Sequence, residues 1–589
     1  MILTKKHKSS LLAQALALAL ALAFAFSLFV LFLPASGIQQ SPSAKTNGVA
    51  YFVDEAEKRG LAAKNTFGGV DTKQYIIETT GTGIAIFDYD NDGWPDIFVV
   101  NGTTLELLPG VKPPTSHLYH NNHDGTFTDV TDKAGLGRVS GWGQGVCVGD
   151  YDNDGYEDVF VTYYGKNVLY HNNGDGTFSD ISAKAHVSGT GKAWSTGCAF
   201  VDYDRDGKLD LFVATYVDFD VTTAPKPGER ASCLWKGVPV MCGPRGLPWG
   251  KNILYHNKGD GTFEDVTTKA KIDQTNGHYG FSVSTFDFDD DGWPDIYVAC
   301  DSTPSILYRN NRDGTFTDVA VVAGAAFNED GKEQAGMGST IGDYNGDGKL
   351  DIFKTNFSDD TSTLYRNNGD GTFDDVTFAA GLGLYTKYLG WGTAFVDVDN
   401  DGWPDLLLVN GHVYPEVTKQ HLGSDYEEPR VLYHNLGSGK FEDISESSGP
   451  GIMAARSSRG LAVGDLWNDG RMSAVVSNMN EPVSLLVNQV KNGNHWIAIK
   501  TLGTKSNRDG IGAKIRANAG GRIRVDEVRS GSSFDSHNDM RVHFGLGSAT
   551  KVDWVEVRWP SGSTERFEGL EVDRIHVLKE GQGIKQAAK

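Results

Sequence analysis

The sequence predicts an all-β protein, a seven-bladed β-propeller followed by a small β-sandwich. Three observations lead there. An acidic pattern, first met as "DYDNDGWPDIFV" from Asp88, recurs along the chain. A hairpin pattern, first met as "LYHNNHDGTFTDVT" from Leu118, recurs after it. The acidic pattern occurs once more often than the hairpin, and the strand needed to even the count stands near the other chain end. The 589 residues include 72 glycines spread throughout and are 39% hydrophobic, a turn-rich globular composition with room for more than one domain. A formal net charge of −22 argues against a nucleic-acid partner, because phosphate binding is driven by clustered Lys and Arg.

Residues 1–37 read as an export leader. Lys5, Lys6 and Lys8 precede an apolar run from Leu11 to Leu33, and Pro34-Ala35-Ser36-Gly37 offers a small-residue cleavage site. The run exceeds a usual signal core of roughly 7–15 residues, so a cleaved signal peptide and an uncleaved signal anchor are both open. Membrane contact is expected only for the anchor. Either way the chain is expected in the periplasm, at the cell surface or outside the cell. Residues 38–49 form a linker.

Residues 50–490 hold the repeats. The acidic pattern returns from Asp150, Asp202, Asp287, Asp343 and Asp397, and a seventh copy from Asp465, "DLWNDGRMSAVV", keeps the frame but loses ligands. Each interval has room for about four strands of usual length. The hairpin returns from Leu169, Leu254, Leu307, Leu364 and Leu432. Its Asp-Gly or Ser-Gly pair suits a tight turn with positive φ, so Asp124 and Asp175 are expected to form turns rather than bind metal. "YFVDEAEKRGLAA" from Tyr51 resembles "TFTDVTDKAGLG" from Thr126. A blade begun by Asp465 to Asn488 is therefore completed near Tyr51 to Leu61, which closes the ring and pairs exposed strand edges. An open array of repeats gives no reason for the split unit.

Oxygen ligands at positions one, three and five, glycine at six and a backbone carbonyl at seven are the layout of a calcium loop. Here position nine is Asp and a strand follows at once. The expected ligands are Asp88, Asp90, Asp92 and Asp96; Asp150, Asp152, Asp154 and Asp158; Asp202, Asp204, Asp206 and Asp210; Asp287, Asp289, Asp291 and Asp295; Asp343, Asn345, Asp347 and Asp351; and Asp397, Asp399, Asp401 and Asp405. Four converging carboxylates repel one another unless a cation neutralises them, so about six structural Ca2+ ions are expected. The seventh loop, with Trp467 and Ser473 in place of two ligands, is expected to hold none.

Of the five cysteines, Cys233 and Cys242 lie in one Pro/Gly-rich insertion and are expected to form a disulfide that staples it. Cys147 and Cys198 stand three and four residues before Asp150 and Asp202, on opposite faces of equivalent strands. They are expected to be buried and free, with Cys300. Trp142, Trp194, His278, Tyr279, Gln334, Trp391 and Arg459 begin the small-residue strands before the acidic loops. They are candidates for a ring at one mouth of the central channel, suited to a sugar, a peptide or a cationic side chain, or for packing between blades. His412 to Glu416 interrupts the sixth unit and is a second candidate face. No Gly-x-Ser-x-Gly elbow, Walker loop or His-Glu-x-x-His occurs, and fold alone does not decide between binding and catalysis.

Residues 491–585 lack the acidic loop. Val555, Val557 and Trp559 alternate with Glu556 and Arg558, the period of a half-buried strand. Similar strands at 496–502, 511–518 and 523–528 predict the small β-sandwich. Ser506 to Ala513, "SNRDGIGA", reads as a turn or a binding loop.

The acidic repeats resemble the FG-GAP/VCBS repeat of integrin α-subunit propellers. With "CLWKGVPVMCGPRGL", "VNGHVYPEV" and the C-terminal "SGSSFDSHNDMRVHFGLG", the likeness narrows to the cartilage acidic protein family with its ASPIC/UnbV module. His537 departs from the Gln of that pattern. The first reading is a non-enzymatic, exported calcium-binding propeller of adhesion or ligand recognition, with an extracellular protein or carbohydrate partner. The alternative is an extracellular enzyme acting on glycans or a secondary metabolite at the channel mouth.

Overall fold

A computed structural model describes residues 48–586, apart from 108, 109, 111, 190 and 276. The leader lies outside the described residues. Among those described, no helix is long and apolar enough to cross a membrane.

Seven four-stranded antiparallel sheets account for most of the chain. In the first, Ile84–Phe87 leads through the acidic loop to Asp96–Val99, and the hairpin strands His117–Asn121 and Phe127–Asp129 complete it. The order matches the character of each strand. Second strands such as Asp158–Tyr163 are buried along their whole length and read as continuous apolar runs. Fourth strands such as Phe178–Asp180 bury only their phenylalanine and are three residues long, a short edge that offers little to a foreign strand.

The seventh sheet joins the two ends of the repeat region. Phe52–Asp54 pairs with Ser484–Asn488, Phe52 opposite Asn488, and Ser473–Asn478 and Ser458–Gly464 follow. The inner strands Ile84–Phe87, Gly143–Gly149, Ala193–Val201, Gly280–Phe286, Gly336–Gly342, Gly390–Val396 and Ser458–Gly464 each pack against the next, and the last returns to the first. The result is a closed β-propeller with apolar clusters between neighbouring sheets.

The C-terminal residues form two further sheets. One orders Val542–Gly547, His495–Leu502 and Arg574–Lys579; the other orders Arg522–Glu527, Lys514–Ala519, Trp554–Arg558, Thr564–Phe567 and Ile584–Lys585. Ile497, Ile499, Ile515, Val555, Val557 and Trp559 are buried in one cluster that also takes in Cys147, Phe160, Leu211 and other side chains of the propeller.

Two disulfides are present. Cys233 and Cys242 are joined within the insertion. Cys147 and Cys198 are also joined, with Cα atoms 5.7 Å apart, which corrects the expectation that both are free. The error lay in the geometry of a ring. Neighbouring blades present opposite faces to each other, so residues on opposite faces of equivalent inner strands are the ones that meet. Cys300 is free and buried.

Candidate metal centres and the filled channel

Each acidic loop is organised by its own backbone amides. Asp88 Oδ1 accepts from Asp92 N and Asp88 Oδ2 from Gly93 N, both at 3.0 Å, while Trp94 N donates to Asp92 Oδ1 at 2.9 Å. Gly93 has φ +92°, a value that favours glycine, and Asn91 at position four has φ 58°. The position-nine aspartate is buried beneath: Asp96 Oδ2 accepts from Tyr89 N and Oδ1 from Asn121 N. The same bonds recur around Asp150 and Asp158 and in the other loops.

Burial first, and neighbouring carboxylates second, push several of these acids far up: Asp202 to about 7, Asp399 to about 7 and Asp150 to about 8, with Asp509 adding to the last. Burial also lifts Asp96, Asp158 and Asp210 to about 7 against the opposing pull of His120, His171 and His256. Asp202 Oδ1 and Asp90 Oδ1 are buried without a hydrogen-bond partner. The donor set is therefore rich in oxygen, with buried carboxylates held close together, which fits a divalent cation. Asp90, Asp92 and His120, and separately Asp88, Asp90 and Asp96, bring one ligand atom each to within 4.8 Å of one another; equivalent groups form in other loops. In the fifth loop, Asn345 Oδ1 accepts from Asp347 N. In the seventh, Arg471 Nε donates to Asp469 Oδ2 at 3.0 Å, and Trp467 lies under the Arg59 guanidinium, so arginine supplies charge there. Asp124 and Asp175 cap their turns through Thr126 and Thr177, as the hairpin reading requires.

Two repeated asparagines escaped the sequence reading. The Asn that ends each third strand donates to the preceding blade: Asn172 to Tyr89 O, Asn257 to Tyr151 O, Asn310 to Tyr203 O, Asn367 to Phe288 O and Asn435 to Tyr344 O. The position-four Asn reaches the next loop: Asn91 to Gly155 O, Asn153 to Gly207 O, Asn400 to Gly470 O and Asn468 to Gly93 O. Their recurrence at fixed repeat positions was the available signal.

The C-terminal sheets sit on the face that bears these loops. Asp150 N donates to Asp509 Oδ2 at 2.7 Å, Arg508 N to Asn153 Oδ1 at 2.7 Å, and Lys514 pairs with Asp290 at 2.9 Å. Arg558 pairs with Asp287, His543 Nε2 meets Asn400 Oδ1, and Arg541 Nη1 donates to Asn468 Oδ1.

From the same face a hairpin, residues 530–539, enters the ring. Ser532 and Ser536 exchange backbone bonds, and Ser533 does the same with Ser339. Val146 N donates to Asp535 O, Ile86 N to His537 O, and His537 N to Ile84 O. The Phe534 ring lies 4.7 Å from Trp391 and 5.5 Å from Phe281. Glycine five residues before the acidic loop makes room: a Cβ at Gly83 would overlap the Asp535 carbonyl, one at Gly460 would strike Ser536, and one at Gly338 would crowd Phe534. Gly145, Gly197 and Gly392 hold the same place in their blades, and Ser282 is the exception.

This filling changes the reading of the ligand candidates. Trp194, Trp391 and Arg459 are fully buried, and Tyr279 and Gln334 nearly so; only Trp142 and His278 keep partial exposure. Arg459 stands over Trp391 at 4.2 Å and donates to the carbonyls of Thr79, Gly411 and His412. Tyr279 Oη donates to Leu247 O in the insertion, and His278 Nδ1 contacts Pro304 O. These residues form packed walls rather than an open ring. His412 and Tyr414 are likewise buried, under Trp235 of the insertion, and burial pushes His412 down to about 3.

The family models that match the chain agree with this architecture. The FG-GAP-like repeat family matches residues 88–161, 150–213, 242–298, 287–354 and 343–408, and the ASPIC and UnbV family matches residues 503–585. Cartilage acidic protein 1 of Xenopus tropicalis is 24% identical over 512 residues, covering 82% of this chain and 70% of its own. Integrin alpha-3 of Mus musculus is 24% identical over 184 residues, 30% of this chain and 17% of its own. Among solved structures, an Agrocybe aegerita lectin that recognises non-reducing terminal N-acetylglucosamine aligns with TM-score 0.34 at 18% identity, over 68% of this chain and 86% of its own. The rhamnogalacturonan lyase YesX aligns with TM-score 0.31 at 14% identity, over 88% of this chain and 91% of its own.

Proposed function

The chain belongs to the family of FG-GAP-like repeat proteins with a C-terminal ASPIC and UnbV module, and from that premise we propose an exported calcium-binding propeller that recognises an extracellular protein or carbohydrate. One observation supports it above the others: the acidic loops repeat one oxygen-rich geometry that gathers several carboxylates within ligand distance of one another, and Asp90 Oδ1 and Asp202 Oδ1 are buried there without a hydrogen-bond partner. In this reading Asp88, Asp90, Asp92 and Asp96, and their counterparts, hold the ion. The ion supplies the charge that lets all four carboxylates stay ionised beside a buried strand. Extracellular calcium modules bind at roughly 10⁻⁴–10⁻³ M. Ion at ten times its dissociation constant stabilises by about 1.4 kcal/mol per site. Six sites then add about 8 kcal/mol, comparable with the net stability of a domain, so the role is structural.

Export is supported by the basic-then-apolar N-terminus and by two disulfides, which persist in oxidising compartments. With the channel filled, recognition falls to surfaces that do not repeat, foremost the Cys233–Cys242 insertion with its exposed Leu234 and Trp249. The enzymatic alternative loses support, since the Tyr and Arg it would use are Tyr279 and Arg459, both buried. Binding of the calcium-loaded protein to arrays of glycans and extracellular proteins tests the reading. A retained ligand that is lost on Trp249→Ala, with the melting temperature unchanged, is the expected result. Loaded protein that retains nothing from either array would count against recognition as the function.

A further inference from the structure

The docked C-terminal sheets enclose a cavity of about 140 Å³ against the fifth and sixth acidic loops. Much of its wall is apolar, with Ile341 and Phe395 from the propeller and Met540 and Phe544 from the module. Arg529 holds Asp526 at 2.6 Å, Arg541 holds Asp539, and Glu527 faces Lys514 at 3.9 Å while it accepts from Asp287 N. Arg522 and Arg524 are left over. They stand two apart on the strand Arg522–Glu527, so they share a face. Among the described residues neither forms an ion pair. The guanidinium carbon of Arg522 lies 3.2 Å from the Trp403 ring centre. Arg524 is 8% exposed and donates through Nη1 to the carbonyls of Ala519 and Arg522, while its Nε is buried without a partner. Burial first, and Arg524 second, push Arg522 down to about 10. The acids that act on these two arginines, Asp343, Asp397 and Asp401, belong to loops five and six, where the cation of the reading above takes up their charge.

We propose that this cavity binds a small organic acid: Arg522 and Arg524 hold its carboxylate, and an apolar body about the size of a benzene ring lies against Phe395 and Phe544. Two neighbouring guanidinium groups without counter-charge are costly to bury, and the planar fork of arginine matches a carboxylate through two parallel bonds. An apolar pocket with a few convergent polar groups is the usual form of a small-molecule site. The volume sets the size of the ligand, since a cavity of about 150 Å³ admits benzene. The arginines belong to the module and Phe395 to the propeller, so the ligand touches both sides of the seam and favours the docked state. The inference goes beyond protein or carbohydrate recognition, and it rests on the calcium reading only for the charge of Asp343, Asp397 and Asp401.

The test titrates the full mature chain, loaded with Ca2+ and with its calcium content measured on the same sample, with benzoate, benzamide and inorganic phosphate in a calorimeter. Benzoate is expected to bind at a single site and to raise the melting temperature, while uncharged benzamide and phosphate, which lacks the apolar body, do neither. Arg522→Gln, at a half-buried position on an edge strand, is expected to keep the fold and to weaken benzoate about tenfold or more. Arg524→Gln is expected to act in the same direction. Calcium-loaded protein that gives neither heat nor a melting shift with benzoate, that binds benzamide or phosphate as tightly, or that binds benzoate unchanged after Arg522→Gln would overturn the site and leave the calcium reading standing. Protein that takes up no calcium would overturn that reading, and the site with it if benzoate also fails to bind.

Discussion

Asn257 donates its side-chain amide to Leu209 O in its own blade and to Tyr151 O in the preceding one, and its Oδ1 accepts from Gly259 N. Asn257→Ala would leave those buried carbonyls unpaired, at about 2–3 kcal/mol, measurable as a lower denaturant midpoint with unchanged slope. A serine or valine at Gly460 has no space beside Ser536 and Thr82 O. The acids of the loops make a pH prediction of definite sign. Without metal, Asp96, Asp158 and Asp210 titrate near 7 in the fold and near 3.9 unfolded, so the folded state holds more protons between those values. Chelated protein is therefore expected to melt at higher temperature at pH 5.5 than at pH 8, about 1.5 units below and about 1 unit above those folded values. Loaded protein is expected to show the opposite slope below about pH 5, where protons compete with the ion. A chelated melting curve that does not move with pH would contradict this electrostatic account.

The acidic loop was legible because its chemistry is local: ligand spacing, glycine at six and the strand that follows are all contiguous in sequence. The Leu-Tyr hairpin was legible for the same reason. The 530–539 hairpin was not, because the glycines that make room for it are scattered across six blades, and no local pattern says what fills the space above a glycine. Phe534→Ala would remove a fully buried ring at Trp391 and Phe281, a cost of about 3–5 kcal/mol. Its effect should appear as lower thermal stability and as faster amide exchange in Ser339 and Val146, whose backbones bond the hairpin. The Cys147–Cys198 bridge escaped the sequence for a related reason, since the pairing is set by the ring rather than by either strand. Peptide mapping without reduction should recover both bridges and a free Cys300. Reduction or Cys147→Ser should lower stability by about 2–4 kcal/mol.

At the scale of the molecule, the split seventh blade was readable from counting alone, and Phe52–Asp54 does pair with Ser484–Asn488. What the sequence could not supply was the position of the C-terminal sheets, because the residues that dock them, such as Lys514, Arg541 and Arg558, carry no shared motif. Their place on the loop face removes the open channel on which the sugar-binding ring of Trp194 and Trp391 depended. It also ties loop geometry to the whole assembly, since Asp150, Asp287, Asn400 and Asn468 each contact that module. The central claim is that the loops hold divalent ions and that these ions hold the ring together. Differential scanning calorimetry of the mature chain, saturated with Ca2+ and again after chelator and dialysis, tests it most directly. The expected result is a midpoint lower by at least about 10 °C after stripping, restored by adding the ion back. A midpoint that chelation leaves unchanged would contradict it.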